Sequence, residues 1–120
     1  MNNHTIVIVD DETEMTQLLK IELETEGYKV FTSNDGRSGL ALIKKVKPDL
    51  LLLDVMMPGL DGFGVMKALK EDPATKKIAI VMLTAKGLSD DIQKGLDLGV
   101  DEYITKPFHS GLLIKRIQTI

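Results

Sequence analysis

Apolar runs of four to six residues alternate along this chain with longer stretches in which apolar positions recur every three or four residues. The runs Thr5 to Val9 (TIVIV), Lys29 to Ser33, Leu50 to Leu53 (LLLL), Ile78 to Leu83 (IAIVML) and Glu102 to Thr105 read as strands. The third and fourth have no polar face, as expected of strands covered by helices on both sides. Helical spacing is carried by Met15, Leu18, Leu19 and Leu23, by Leu40, Ile43 and Val46, and by Phe63, Met66 and Leu69. It resumes with Ile92, Leu96 and Leu98, then with Leu113, Ile117 and Ile120, the last three predicted to share one face.

The punctuation agrees with these spans. Gly27 stands where a left-handed cap would close the first helix, Asn34-Asp35-Gly36 is turn chemistry, and Pro48 ends the second helix. Pro58-Gly59 forces a loop, Asp61-Gly62 opens the third helix and Asp72-Pro73 stops it. Ser89 is the expected N-cap of a fourth helix ending at Gly99, and Gly95 inside it, with Gly87 and Gly99 at its ends, predicts the least stable helix of the set. Strands joined by single helices must run parallel, so the fold class is α/β, a (βα)5 doubly wound sandwich. Residues 1–120 show no repeat, low-complexity tract or linker and read as one domain. The last helical pattern runs to Ile120 without a cap, which suits either a stand-alone domain or a piece of a longer chain.

Composition removes several functions. The chain has no cysteine, hence no disulfide, thiolate metal site or cysteine nucleophile, and suits the reducing cytoplasm. No signal-peptide pattern and no apolar run of membrane-spanning length is present. A net charge of −3, with no tryptophan and few other aromatics, argues against direct nucleic-acid binding. His4 and His109 lack partners at metal-ligand spacing, Lys44, Lys45 and Lys47 read as a solvated helix face, and the methionines read as core filler apart from Met56.

The chemistry gathers at strand ends. A parallel sheet brings the carboxyl ends of its strands to one edge, which collects Asp10, Asp11, Asp54, Thr84 and Lys106 from distant parts of the chain. Singly, each has an ordinary explanation: acids near a helix N-terminus, a strand hydroxyl, a surface lysine. Together, three carboxylates repel one another and call for compensating charge, and all-oxygen ligands point to Mg²⁺, with Ca²⁺ or Mn²⁺ as substitutes. Acid-bound Mg²⁺ beside a lysine and a hydroxyl is equipment for phosphoryl transfer, and a carboxylate can serve as the nucleophile.

The acidic pair Asp10-Asp11 after the first strand, Asp54 in LLLDVMMPGLDG, Thr84 followed by Ala85, and Lys106 in ITKPF make the chain resemble the receiver domain of two-component response regulators over essentially its full length. That resemblance implies a flavodoxin-like sheet of strand order 2-1-3-4-5. It makes Asp54 the phosphoacceptor, supplied by a sensor histidine kinase or a phosphotransfer protein, with Lys106 and Thr84 assisting. Mg²⁺ would be held by Asp11, Asp54 and the backbone carbonyl of Met56, with Asp10 acting through water. Thr84 and Tyr103 become the switch pair, the Lys106–Pro107 peptide is expected to be cis, and the output face is helix 4, strand 5 and helix 5. Met56 and Lys86, two residues after the phosphoacceptor and the switch hydroxyl, fall where the lifetime of the phosphoryl group is tuned. The domain is expected to promote its own phosphorylation and dephosphorylation without being an enzyme in the ordinary sense. A homodimer through the output face is a further expectation, because Lys94, Asp97, Asp101 and Arg116 resemble charged positions of the winged-helix DNA-binding subfamily, although Ile92 and Leu112 depart from its pattern.

Other classes make distinct demands. A flavin carrier on the same sheet needs hydroxyls and amides after its first strand, where this chain has Asp10-Asp11-Glu12. A phosphatase working through an aspartyl phosphate wants a second acid two residues after the nucleophile, and that position is Met56. A receiver-like interaction module that is never phosphorylated has no need of the full set of acids, hydroxyl and lysine.

Overall fold

The computed structural model describes residues 4–85 and 89–120. Its elements are β1 (Thr5–Val9), α1 (Thr13–Thr25), β2 (Lys29–Ser33), α2 (Gly36–Val46), β3 (Leu50–Asp54), α3 (Gly62–Glu71), β4 (Ala79–Ala85), α4 (Ser89–Asp97), β5 (Glu102–Lys106) and α5 (Ser110–Gln118). All strand pairs are parallel and form one sheet in the order β2-β1-β3-β4-β5. This is the α/β flavodoxin-like arrangement expected from the sequence.

Strand alternation divides the core into two layers. Val7, Val9, Leu51, Leu53, Ile80 and Met82 face one way, toward Ile43 of α2, Phe63, Met66 and Leu69 of α3, and Ile92 of α4. Their neighbours Ile6, Ile8, Leu50, Leu52, Val81 and Leu83 face the other way, toward Leu19 and Leu23 of α1 and Leu113 and Ile117 of α5. Every residue of β3 is therefore buried, and a run without a polar face is the sequence signature of that position. Burial of each leucine of this run stabilises the fold by about 2 kcal/mol.

Local chemistry sets the element ends. Gly27 has φ +98°, as a helix-terminating residue in the left-handed region requires. Asp35 and Asp61 accept hydrogen bonds at α2 and α3 from the amides of Ser38 and Gly64, at 2.8 and 2.9 Å.

Four expectations need correction. Leu18 of α1 is exposed, because the buried stripe of that helix runs through Thr16, Leu19 and Leu23. Leu96 of α4 is also exposed, while Gly95 is buried against Met82 so closely that an added methyl group would displace the Met82 thioether. Gly95 thus serves close helix–sheet packing, which its low helix propensity alone did not suggest. Ser89 already lies within α4 instead of preceding it. Finally, α5 ends at Gln118 with Thr119 as its cap, leaving Ile120 outside the helix and half-exposed.

Candidate functional site

β1, β3, β4 and β5 end along one edge of the sheet, and the register places Asp54 beside Leu83, Thr84 beside Thr105, and Ala85 beside Lys106. The loop after β3 is held close to this edge because Gly62 packs against the Asp54 carbonyl and the Val55 backbone where a side chain would collide. Its amide donates to the Val55 carbonyl at 3.3 Å.

Asp10 is fully buried and fixed on three sides. Its amide donates to the Ser33 carbonyl at 3.1 Å, its carbonyl accepts from Asn34 Nδ2 at 2.8 Å, and its Oδ1 accepts from the Glu12 amide at 2.9 Å. Oδ2 faces Lys106 Nζ at 2.7 Å. Asp54 is almost as buried; Oδ1 accepts from the Met56 amide at 3.1 Å and Oδ2 lies 3.7 Å from Lys106 Nζ. Asp11 is exposed, yet Asp10, Asp11 and Asp54 each bring one carboxylate oxygen to within 4.8 Å of the others. The three acids singled out from sequence therefore do converge.

The electrostatics show an excess of negative charge. Burial of Asp54, reinforced by the charge of Asp10 and, less strongly, of Asp11, pushes its pKa up to about 7 against the opposing effects of the Met56 amide and Lys106. Burial works against the charge on Lys106, but hydrogen bonds to Asp10 and Glu12 and the charges of Asp10 and Asp54 outweigh it, and the Lys106 pKa is raised. A single lysine does not balance the cluster. The donor set is all oxygen, open to solvent on the Asp11 side, and fits a hard divalent cation.

Thr84 is fully buried at the end of β4, and its Oγ1 has no hydrogen-bond partner among the described residues. A buried hydroxyl without a partner costs about 1–3 kcal/mol and is a donor ready for an incoming oxygen. Tyr103 is half-buried and packs on the α2–α4 side of the core, with its register partner Met82 in that layer. Met56 projects its side chain into solvent, 58% exposed, at the mouth of the site. Lys86 lies outside the described residues. The Lys106–Pro107 peptide is cis.

Glu12 is a site residue that the sequence reading passed over. Its Oε1 sits 2.6 Å from Lys106 Nζ, closer than either aspartate. Only its place as third acid of the run Asp10-Asp11-Glu12 pointed to it.

On the proposed output face the charged residues are engaged within the chain. Lys94 lies over the Phe63 ring at 4.5 Å, Asp97 accepts from Gln93, Asp101 accepts from the Ile80 amide at 2.8 Å, and Arg116 pairs with Glu102 at 3.5 Å.

Known proteins resemble this chain along nearly its whole length. A family model described as the response regulator receiver domain matches residues 6–118. The phosphate regulon transcriptional regulatory protein PhoB of Pseudomonas aeruginosa is 42% identical over 120 residues, which is all of this chain and 52% of that protein. The chain thus spans about half the length of that curated relative. A putative response regulator from Chloroflexus aurantiacus superposes with a TM-score of 0.91 at 36% identity, covering 98% of this chain and 96% of that one. The receiver domain of the sensor histidine kinase PA1611 from Pseudomonas aeruginosa, solved with a magnesium ion in its active-site cleft, superposes at 0.87 with 26% identity, covering 98% and 96%.

Proposed function

This chain belongs to the response regulator receiver domain family, and we propose that Asp54 is the residue on which its phosphoacceptor switch operates. The observation that carries the assignment is the position of Asp54: a buried carboxylate at the end of the central strand, 3.7 Å from the Lys106 ammonium and gathered with two further acids, on the sheet edge where the neighbouring strand β4 carries Thr84. A carboxylate oxygen of Asp54 attacks the phosphorus of a phosphohistidine on a sensor histidine kinase or phosphotransfer protein. The O–P bond forms as the P–N bond breaks, and the leaving imidazole nitrogen keeps the bonding pair and takes a proton. Water attack on phosphorus later breaks the O–P bond, returning the Asp54 carboxylate and inorganic phosphate. The domain itself promotes both steps.

Asp11, Asp54 and the Met56 carbonyl are the ligands assigned to Mg²⁺, with Asp10 reaching it through water; the excess acid charge and the solved relative with magnesium support this reading. When bound, the metal neutralises the acids and the charge on the phosphoryl oxygens. Lys106 supplies a second cation to those oxygens, and Thr84 Oγ1 donates to another. Movement of Thr84 toward the phosphoryl group opens space that Tyr103 takes up, altering the α4–β5–α5 face. Partners read that face. A homodimer through it is part of this reading, with Lys94 and Arg116, which contact Phe63 and Glu102 within the chain, on the paired face. Net charge of −3 supports a domain, residues 1–120, that does not itself contact nucleic acid, and no described helix is long and apolar enough to cross a membrane. Action in the cytoplasm accords with the cysteine-free sequence.

The test is intact mass after incubation with acetyl phosphate or phosphoramidate, with and without Mg²⁺, for wild type and Asp54→Asn. One added phosphoryl group that requires both Mg²⁺ and Asp54 is the expected result. The same gain in mass in Asp54→Asn would overturn the assignment.

A further inference from the structure

Lys106 Nζ is shared unequally among three carboxylates: 2.6 Å to Glu12, 2.7 Å to Asp10 and 3.7 Å to Asp54. Asp10 and Glu12 differ in kind. Asp10 is wholly buried and depends on the lysine for compensation, whereas the Glu12 side chain is 59% exposed and loses little by returning to water. The backbone of Glu12 is nonetheless fixed at the start of α1, its amide bonded to Asp10 Oδ1 and its carbonyl accepting from the Thr16 amide at 3.0 Å and Thr16 Oγ1 at 2.9 Å. The carboxylate is thereby tethered to the N-terminus of α1, a different element from the end of β3 that carries Asp54.

We propose that Glu12 is a positioning residue that restrains Lys106 in the unphosphorylated state, so that its identity sets how fast Asp54 is phosphorylated. This inference rests on the reading of Asp54 as the phosphoacceptor. To reach oxygens on a phosphoryl group at Asp54 the ammonium must move toward that residue and give up the Glu12 contact, the weaker of its two short pairs to break. An interaction present in the resting state and lost in the transition state raises the barrier. Asp10 cannot be adjusted in this way without stranding a buried charge. Glu12, at the rim, can.

The experiment measures phosphorylation rates with phosphoramidate at saturating Mg²⁺ for wild type, Glu12→Gln and Glu12→Ala, each also in a Lys106→Met background. Saturation separates the rate from any change in metal affinity, which is measured by titration. With Lys106 present, both Glu12 variants are expected to react about threefold faster, the size of an ion pair with one exposed partner. With Lys106→Met the gain should vanish, because Glu12 acts through the lysine. Unchanged or slower rates in the Glu12 variants, with wild type modified at Asp54, would overturn this proposal alone. A gain that persists with Lys106→Met would also overturn it, by assigning the effect to long-range repulsion of the anionic donor. A wild type that takes no phosphoryl group would overturn the Asp54 reading first, and this proposal with it.

Discussion

The Lys106 ammonium lies 2.7 Å from Asp10 Oδ2, joining the end of β5 to the residue after β1 although β3 and β4 lie between those strands in the sheet. Asp10 has no exposed surface, so this cation is its principal compensation among the described residues. Removing one partner of a buried pair costs about 3–5 kcal/mol because the other charge is stranded. Lys106→Ala should therefore lose about 3 kcal/mol in chelator, since the lysine is partly exposed. Denaturant unfolding checks this, and added Mg²⁺ should restore part of the loss.

Asp54→Asn should have the opposite sign. The Asp54 pKa is about 7 in the folded state against about 3.9 in an unfolded chain. Between those values the folded state holds a proton that the unfolded state releases, so this group makes stability fall as pH rises from about 4 to about 7, and adds no slope above that. After allowance for water at the open side of the site, Asp54→Asn should be more stable than wild type by about 2 kcal/mol at alkaline pH, with the gap closing toward pH 4. Chelator-treated samples across that range provide the comparison.

Mg²⁺ should raise the thermal midpoint of wild type above pH 7, where Asp54 is ionised, and raise it less at pH 5, where Asp54 holds its proton. Asp54→Asn should show the smaller shift at both. Equal shifts in the two proteins would remove Asp54 from the metal's ligands.

Thr84→Val separates stability from switching. Valine keeps the shape of threonine and removes an Oγ1 that has no described partner, so stability should stay level or rise by about 1 kcal/mol. Asp54 should still be modified, more slowly, while the phosphorylation-dependent change in Tyr103 fluorescence or NMR shifts is lost. A variant whose Tyr103 responds as in wild type would separate the hydroxyl from the switch.

Met56 has no group that orients water, and a protonated lysine at position 86 cannot act as a base, so the aspartyl phosphate should be long-lived. The exposed Met56 side chain leaves room for a replacement that binds water. Met56→Asn with Lys86→Glu should shorten the phosphoryl lifetime several-fold, read as phosphate release. A decay rate equal to that of wild type would place both side chains off the water's path.

The element order, the two-sided burial of β3 and the location of Asp10, Asp11, Asp54, Thr84 and Lys106 at strand ends can all be read from the order of residues alone. These are local consequences: periods of two and 3.6 residues mark strand and helix, Gly and Pro mark their ends, and a parallel sheet sends every strand's carboxyl end to one edge. Which of those groups touch depends on how the strand ends and loops pack in three dimensions. Glu12 and Lys106 are 94 residues apart, and no spacing rule connects them. The raised pKa of Asp54, and a Thr84 hydroxyl with no partner among the described residues, arise from what surrounds them after folding. The same limit applies to α4, where Leu96 fits an apolar stripe in the sequence but Gly95 takes the buried position against Met82. Periodicity ranks a helix's faces by hydrophobicity, whereas the face that goes inward is the one whose shape lets the helix approach the sheet most closely.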